Sequence, residues 1–493
     1  MPHIVLKKEP SYDPKKEAFP FQEEALKEIH DLDYSAIFHE QGLGKTKIAI
    51  DLMLYWFEKK KIDTVLFIVK KGLVNNWLRE FRIHSHITPK LITQNRRANY
   101  YVFNSPARAI VAHYEAIKKE KERMILFLKT RDVAVILDES VKIKNPESSL
   151  TKAFFEMAPF FKKRVIMTGT PIANRPYDIW SQIWFLDQGK SLGNDFKNFK
   201  QNLDLTNELY KDVYAQKRFE EQLDSISKKI SSFSVRETKK SGIIKLPKKT
   251  IEVVRTDWEP RQYELYKQVQ NEERALVLKN GIPTEDKSDE LLKRLVRLLQ
   301  ITSNPRLIDE SYRNESGKIP YLRDLIIKIV NNNEKCIIWT SFTKNADWLK
   351  SEFEEFGSCK IHGKLSISFR NLEIDKFLHE PQYKLLFATP GAAKEGLTLT
   401  VANHVLFYDR SFSLDDYLQA QDRIHRISQE KTCFVHNLLM HDSIDEWIDE
   451  LLFGKELAAQ LGQGDISLDY YNSKKSYEFG EIVKNILNIK EIQ

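Results

Sequence analysis

The chain has 493 residues, 42% of them hydrophobic and 30% charged, which excludes a long disordered protein and predicts two or three folded domains. Its 77 basic and 70 acidic residues leave a net charge of +7, which suits a polyanionic partner without requiring one. Three widely spaced cysteines argue against a disulfide framework or a zinc site, and no apolar run approaches the length of a membrane span or a signal peptide, so we expect a soluble, intracellular protein.

The first predicted elements are short apolar strands that alternate with longer helical patterns. These strands are YSAIF (34–38), TVLFIV (64–69), AIVAH (109–113), VAVIL (133–137) and RVIMT (164–168). Buried strands that alternate with helices indicate a parallel sheet covered on both faces. We therefore predict an α/β domain over residues 1–189.

The middle of the chain has a different pattern. The segments RFEEQLDSISKKISSF and SDELLKRLVRLLQITSN are charged helical patterns, and the basic connector KKSGIIKLPKK lies between them. We predict a helical insertion and connector over 190–250 and a second helical insertion over 251–315.

A second set of apolar strands follows, again separated by helical patterns. These strands are KCIIWT (335–340), KLLFAT (384–389), HVLFY (404–408) and CFVHNLL (433–439). They predict a second α/β domain over 316–455, followed by a C-terminal tail over 456–493.

A glycine-bearing loop follows the first strand and leads into a helix. Its residues are Gly42, Leu43, Gly44, Lys45 and Thr46. Glycines let backbone N–H groups approach a phosphate, the lysine reaches the outer phosphates, and the threonine hydroxyl can hold Mg²⁺. The pattern G-x-x-x-x-G-K-[ST] fails at its first position, which is His39. The alternative is a loop that merely opens an amphipathic helix, but the strand–loop–helix order favours a phosphate site.

Asp138 and Glu139 follow the strand VAVIL, at the strand end where α/β sheets bind ligands. Asp138 can hold a metal directly or through water, and Glu139 can orient or deprotonate an attacking water. Such an acidic turn is common by itself. Its position after a phosphate loop predicts that the pair acts on the same ligand as Lys45.

In LQAQDRIHRISQE, the spacing of Gln419, Arg423 and Arg426 predicts that they share one face of a helix. For an arbitrary arginine pair, a solvated surface is the ordinary explanation. Phosphoryl transfer offers another, since an arginine that stabilises the γ-phosphate contributes about 10³–10⁵ in rate in well-studied systems. If the two α/β domains close on ATP, these arginines complete the site.

Taken in order, these motifs resemble those of the Swi/Snf-type ATPases, the double-stranded-DNA translocases of helicase superfamily two. The segments that carry the likeness include FPFQEEAL, GLGKT, VLFIVKKGLVNNWLREF, LDESVKIKNPESSLTKA, RVIMTGTPIANRPYDIW and YLQAQDRIHRISQ. The likeness covers residues 19–187 and about 316–455, and the ordered set is far more specific than any single motif. The compact size suggests a bacterial or viral member.

The resemblance implies two RecA-like lobes with ATP in the cleft between them and DNA across the top of both. The implied ATP-binding residues are Gln22, Gly42, Leu43, Gly44, Lys45, Thr46 and Gly396, with Mg²⁺ on Thr46 and Asp138. Hydrolysis would depend on Lys45, Asp138, Glu139, Gln419, Arg423 and Arg426. Thr168 and Thr170 would couple the state of the nucleotide to the grip on DNA.

The same resemblance implies contacts to the DNA backbone. These would be Lys70, Lys71 and Tyr114 in the first lobe and Thr340, Ser341 and Thr389 in the second. Lys70 stands where the family's motif Ia normally has proline, which adds a charge near the expected DNA. His39 and Gln41 replace the usual Asp and Met of the phosphate loop. None of these departures removes a group needed for hydrolysis, so we expect activity.

We therefore predict an ATP-dependent translocase or remodeller that acts on double-stranded or branched DNA. It would work in the cytoplasm, on the nucleoid if bacterial or in the host cytoplasm if viral. A strand-separating DNA or RNA helicase of superfamily two is the alternative, since a separation wedge cannot be recognised from sequence. A third possibility is a nucleotide-gated DNA clamp without turnover, against which the retention of Glu139 and both arginines argues.

Overall fold

A computed structural model of the chain describes residues 4, 6–172, 174–204, 213–242, 246–271, 274–279, 282–287, 291–393, 399–426 and 428–474. These residues form two compact units. Unit 1 comprises Met1–Thr206, Val213–Lys245 and Ala458–Ser473, and unit 2 is chiefly Leu246–Leu457. Each unit is built on one parallel sheet, so the predicted fold class, α/β with two parallel-sheet domains, is confirmed.

Unit 1 is organised around a seven-stranded sheet. Its strands are β1 (Tyr34–Ile37), β2 (Thr64–Val69), β3 (Lys90–Ile92), β4 (Ala109–His113), β5 (Val133–Asp138), β6 (Lys163–Met167) and β7 (Ser234–Val235). The spatial order is β3-β4-β2-β5-β6-β1-β7, and every neighbouring pair is parallel. The central strands β2 and β5 are buried along their whole length, as continuous apolar runs require.

Helices cover this sheet on both faces. They are α1 (Pro20–Ile29), α2 (Lys45–Glu58), α3 (Val74–His84), α4 (Arg96–Phe103), α5 (Tyr114–Lys119), α6 (Lys121–Leu128), α7 (Ser149–Met157), α8 (Ile179–Asp187), α9 (Phe196–Gln201) and α10 (Val213–Ile230). Trp77 and Phe81 of α3 each place their ring 5.1 Å from the ring of Phe67 in β2. This aromatic contact fixes α3 beside the strand ends that carry the polar residues described below.

Unit 2 contains a six-stranded sheet and a separate hairpin. Its strands are β8 (Lys249–Thr256), β9 (Arg274–Lys279), β10 (Ile282–Lys287), β11 (Cys336–Trp339), β12 (Ser358–Ile361), β13 (Leu385–Ala388), β14 (His404–Phe407) and β15 (Cys433–Met440). The sheet order is β12-β13-β11-β14-β15-β8, again all parallel, whereas β9 and β10 form an antiparallel pair.

The helices after α10 in the chain are α11 (Pro260–Asn271), α12 (Leu291–Ser303), α13 (Lys318–Asn331), α14 (Thr343–Glu352), α15 (Ile367–His379), α16 (Pro390–Ala393), α17 (Leu414–Gln421), α18 (Ile444–Gly462) and α19 (Leu468–Lys474). The end of α18 and nearly all of α19 belong to unit 1. Apolar residues of α13 and α14 pack against β11, β13 and β14 to form the core of unit 2. Among the described residues, no helix combines the length and the apolar character needed to cross a bilayer.

The middle segment differs from the sequence prediction. Residues 249–256, which the sequence assigned to the connector and a helical insertion, form β8, an edge strand paired along eight residues with β15. Ile251 and Val253 remain exposed on it. A half-exposed edge strand lacks the continuous apolar run of a buried strand, which is why the apolar pattern did not reveal it. The predicted tail is also divided, since residues 458–473 belong to unit 1.

Candidate nucleotide-binding site

The phosphate-loop residues lie between β1 and α2, as the sequence predicts. Gly42 and Gly44 adopt left-handed backbone angles, with φ of 87° and 74°. Glycine is also needed at position 44 for space, because an added Cβ would lie 2.3 Å from Nε2 of Gln22. Lys45 begins α2, and its Nζ donates to the carbonyl oxygens of His39 at 2.9 Å and Glu40 at 3.4 Å. The loop therefore curves around the lysine ammonium.

Gln22 is buried and joins α1 to this loop. Its Nε2 donates to the carbonyl oxygen of Leu43 at 3.1 Å, and its Oε1 accepts from the backbone N–H of Phe19 at 3.0 Å. The amide thus lies next to the phosphate loop, where the family resemblance requires it. Both of its polar ends already have protein partners.

Asp138 lies at the end of β5 and is almost completely shielded from solvent. Its Oδ2 accepts from Nε1 of Trp77 at 2.8 Å, and its backbone carbonyl accepts from the hydroxyl of Tyr114 at 2.7 Å. Burial raises the pKa of Asp138 to about 6, and the charge of Glu139 acts in the same direction. The hydrogen bond that Trp77 donates and the positive charge of Lys45 act in the other direction and lower the pKa of Asp138. Two adjacent carboxylates in a buried place favour a bound cation.

Glu139 follows directly and has an unusual backbone. Its φ of 53° and ψ of 54° lie in the left-handed region, which residues other than glycine rarely adopt and which is frequent at functional sites. Its Oε2 lies 3.6 Å from Nζ of Lys70. The sequence did not predict this ion pair, although it did single out Lys70 as a departure from the family pattern.

The loop after β6 packs against the phosphate loop. Thr168 and Thr170 are buried, and the hydroxyl of Thr168 accepts from the backbone N–H of Thr170 at 3.2 Å. A Cβ on Gly169 would lie 2.6 Å from Cγ of Gln41 and 3.3 Å from Nζ of Lys45. Only glycine permits this approach. The two predicted coupling threonines therefore flank the point where the loops after β1 and β6 meet.

The donor set in unit 1 fits a magnesium ion. The hydroxyl of Thr46 follows Lys45 at the start of α2, and the carboxylate of Asp138 ends β5. Hydroxyl, carboxylate and phosphate oxygens are the hard ligands that Mg²⁺ prefers. Burial holds the pKa of Asp138 above its usual range, so a cation beside the carboxylate would stabilise its charged form.

The prediction that one helix face of unit 2 carries Gln419, Arg423 and Arg426 is wrong. Helix α17 ends at Gln421, and residues 422–426 form turns. The backbone N–H groups of Arg423 and Ile424 donate to the carbonyl oxygens of Ala420 and Gln421, three residues back, so the α-helical pattern ends there. Gln419 and Arg423 are buried, with Gln419 donating to Asp415 at 2.7 Å.

Arg426 is the last residue of these turns and is partly exposed. Its Nε donates to the carbonyl oxygen of Asp422 at 2.8 Å. Gly396, which the resemblance places near the nucleotide, lies outside the described residues.

The candidate DNA contacts differ in exposure. Lys71 is exposed and Lys70 is partly exposed, both in the loop after β2. Tyr114 is fully buried, and in this conformation its hydroxyl serves Asp138 and does not reach the surface. Thr389 is buried at the end of β13, where its N–H donates to the carbonyl oxygen of Ile361.

Thr340 and Ser341 belong to a polar network around Asp409. The carboxylate of Asp409 accepts from the hydroxyl of Thr340 at 2.5 Å, the backbone N–H of Ser341 at 2.7 Å and the hydroxyl of Ser303 at 2.9 Å. Sequence reasoning missed this network. The available sign was an acid at the end of the apolar strand HVLFY, the same pattern that identified Asp138.

Two family descriptions match most of the chain. Residues 27–307 match the SNF2-related domain, and residues 317–428 match the helicase conserved C-terminal domain. The two matches together contain the loops of unit 1 that surround Lys45 and the turn of unit 2 that carries Arg426.

Individual proteins are similar over most of this chain but only part of their own length. An uncharacterized ATP-dependent helicase of Mycoplasma pneumoniae is 28% identical over 453 residues, which are 88% of this chain and 41% of that protein. The ISWI chromatin-remodeling complex ATPase ISW1 of Saccharomyces cerevisiae is 27% identical over 437 residues, 83% of this chain and 37% of that protein. The chain thus spans about two fifths of the length of these relatives.

One solved structure also aligns along the whole chain. It is the Sulfolobus solfataricus SWI2/SNF2 ATPase core in complex with dsDNA, with 23% sequence identity and a TM-score of 0.43. The alignment covers 99% of this chain and 100% of that one.

Proposed function

The chain belongs to the SNF2-related family, and from this premise we propose that it hydrolyses ATP and uses the energy to move along double-stranded DNA. The observation that carries the proposal is the meeting of the loops after β1 and β6 around Lys45, with the carboxylates of Asp138 and Glu139 at the end of β5. A phosphate-binding lysine beside a buried acidic pair is the arrangement that phosphoryl transfer needs.

Each group then has a chemical role in hydrolysis. Lys45 exchanges its carbonyl partners for the outer phosphates of ATP, and the start of α2 adds a positive field. Thr46 and Asp138 would hold Mg²⁺, which neutralises phosphate charge when bound. Glu139 orients the attacking water and accepts its proton. Arg426 of unit 2, with Arg423, would stabilise the charge that develops on the γ-phosphate.

Duplex DNA is the proposed substrate for movement. Two relatives are named as an ATP-dependent helicase and as the ATPase of a chromatin-remodeling complex, and these names support a nucleic-acid substrate. The net charge of +7 and the lysine pair after β2 support binding to a phosphate backbone. The alternative is a strand-separating helicase, which the name of the Mycoplasma relative favours.

ATP hydrolysis measured with duplex, single-stranded, forked and RNA ligands tests this proposal. We expect duplex DNA to stimulate hydrolysis most, and increasing salt to suppress the stimulation steeply because backbone contacts release counterions. Lys45→Ala is the inactive control. Equal stimulation by single-stranded RNA would favour the strand-separating helicase, and hydrolysis that no nucleic acid changes would overturn both.

A further inference from the structure

We propose that Lys70 restrains Glu139 in the absence of DNA, and that a DNA phosphate which binds Lys70 releases the carboxylate for hydrolysis. The restraint presupposes the proposed function, in which Glu139 orients the attacking water and the loop after β2 contacts DNA. It adds a physical route by which contact with DNA accelerates hydrolysis.

Strand register brings the two side chains together. β2 and β5 are adjacent parallel strands in which Ile68 pairs with Leu137. Lys70 directly follows β2 and Glu139 directly follows β5, so both residues leave the sheet at the same edge. The contact therefore joins the segments that follow two neighbouring strands of the sheet.

The ion pair is close but incompletely bonded. Nζ of Lys70 lies 3.6 Å from Oε2 of Glu139, which is an ion-pair distance beyond that of a good hydrogen bond. Within the described part of the chain, this carboxylate oxygen is shielded from solvent and accepts no hydrogen bond. Lys70 thus provides compensating charge for a shielded oxygen, while its ammonium keeps N–H donors for another anion.

The surroundings favour an exchange of partners when a phosphate arrives. The Lys70 side chain is 18% exposed, so an anion can reach it, and the neighbouring Lys71 is exposed and adds attraction. A phosphate oxygen would accept directly from the ammonium, which the carboxylate does not do at 3.6 Å. The ammonium would then turn to the phosphate, and Glu139 would be free to accept a hydrogen bond from water.

A rotation of the Glu139 side chain is enough to release its carboxylate, because the backbone of this residue need not move. Its left-handed conformation is held at the end of β5 beside the fully buried Tyr114 and Asp138. The backbone is therefore fixed, and the direction of the carboxylate depends on side-chain torsions and on what its oxygens contact. Because the family resemblance predicts proline at position 70, the restraint is a feature of this chain.

The test compares Lys70→Met, Lys70→Gln and Lys70→Arg with the wild type. ATP hydrolysis is measured at saturating ATP and Mg²⁺, without DNA and over a series of duplex concentrations. Without DNA, Lys70→Met and Lys70→Gln should raise kcat about two- to fivefold, the range expected for a pair of this exposure, with little change in the KM for ATP. Lys70→Arg, which keeps the cation, should retain the low wild-type rate.

Binding to duplex DNA gives a readout independent of hydrolysis. The loss of one phosphate contact should weaken DNA binding and reduce the slope of log affinity against log salt by about one in Lys70→Met. The matched control is Lys121→Met, which removes another lysine–glutamate pair of unit 1, Lys121 with Glu156, and should change neither quantity.

The outcomes separate the two proposals. A wild-type rate that duplex DNA leaves unchanged would overturn the proposed function and the restraint with it. A DNA-stimulated wild type whose Lys70→Met and Lys70→Gln variants hydrolyse ATP without DNA at the wild-type rate or more slowly would overturn the restraint alone. Faster DNA-free hydrolysis with a reduced salt slope supports the restraint.

Discussion

A carboxylate lies at the end of a strand in each sheet, and the two carboxylates differ in how well hydrogen bonds and nearby charges compensate their negative charge. Asp409 follows β14 in unit 2 and accepts from two hydroxyls and a backbone N–H. Asp138 ends β5 in unit 1, where burial and the neighbouring Glu139 raise its pKa to about 6. The same pattern of an acid after an apolar strand therefore produces a satisfied structural network in one unit and an under-compensated site in the other. Only the second has a reason to bind a cation.

The largest effect is expected from a residue of unit 2 that lies outside the Asp409 network. Arg426→Ala should lower the rate of ATP hydrolysis by about 10³–10⁵-fold, because it removes the positive charge proposed to stabilise the transition state. ATP affinity should change little. Stopped-flow hydrolysis and binding of a fluorescent ATP analogue measure the two quantities. A wild-type rate in this variant would refute the proposed role of Arg426.

Glu139→Gln should have the next largest effect. It removes the group proposed to accept the proton of the attacking water, so kcat should fall about 10²–10⁴-fold. Nucleotide binding should remain, because the phosphate loop is untouched. The matched control is Glu156→Gln on the surface of unit 1, which should keep the wild-type rate. Substantial hydrolysis by Glu139→Gln would place the general base elsewhere.

Asp138→Asn and Asp409→Asn test the contrast directly through stability. At pH 7 without Mg²⁺ and nucleotide, Asp138→Asn should raise the free energy of unfolding, because it removes a buried charge that the fold disfavours. Asp409→Asn should lower it, because it removes acceptor capacity from buried donors. We expect the two variants to differ by about 3 kcal/mol in urea denaturation. If both substitutions changed the free energy of unfolding in the same direction, the contrast between Asp138 and Asp409 would be wrong.

Much of this site could be predicted because apolar runs and short motifs are local. TVLFIV and AIVAH coincide with β2 and β4, and VAVIL lies within β5, so the polar residues after these strands were found. The contacts of Trp77 with Asp138 and of Lys70 with Glu139 were missed, because each joins segments more than sixty residues apart. Such contacts depend on the packing of α3 and on strand order, which no local pattern encodes.

The end of α17 was missed for a related reason. The spacing of Gln419, Arg423 and Arg426 is helical, and nothing nearby in the sequence forbids a longer helix. The helix stops where the backbone N–H groups of Arg423 and Ile424 bond to carbonyl oxygens three residues back. Bonds from Leu399 and Gln429 then hold the turn that follows. The bond from Leu399 and the pairing of β8 with β15 both join segments that are distant in the chain, and no local pattern encodes them.

His39 gives the smallest predicted effect and extends the contrast within unit 1. Burial, together with the charge of Lys45, lowers the pKa of His39 to about 4. Below about pH 6.5, His39 therefore binds a proton in the unfolded chain but not in the folded loop. The free energy of unfolding consequently falls as the pH is lowered from 6.5 towards 4. Asp138 acts in the opposite direction, because its raised pKa lets the folded state take up a proton below about pH 6.

Between pH 7 and pH 5, the His39→Asn variant should therefore lose about 2 kcal/mol less of its free energy of unfolding than the wild type loses. The measurement is urea denaturation of the nucleotide-free protein across this range. Asp138→Asn, measured beside it, should make the acid loss larger, because the opposing proton uptake disappears. If His39→Asn leaves the pH dependence unchanged, the imidazole must take up its proton at the same pH in the folded loop as in the unfolded chain. A negative charge near His39 would then be needed to offset the charge of Lys45. Such a charge would make the phosphate loop less suited to an anion.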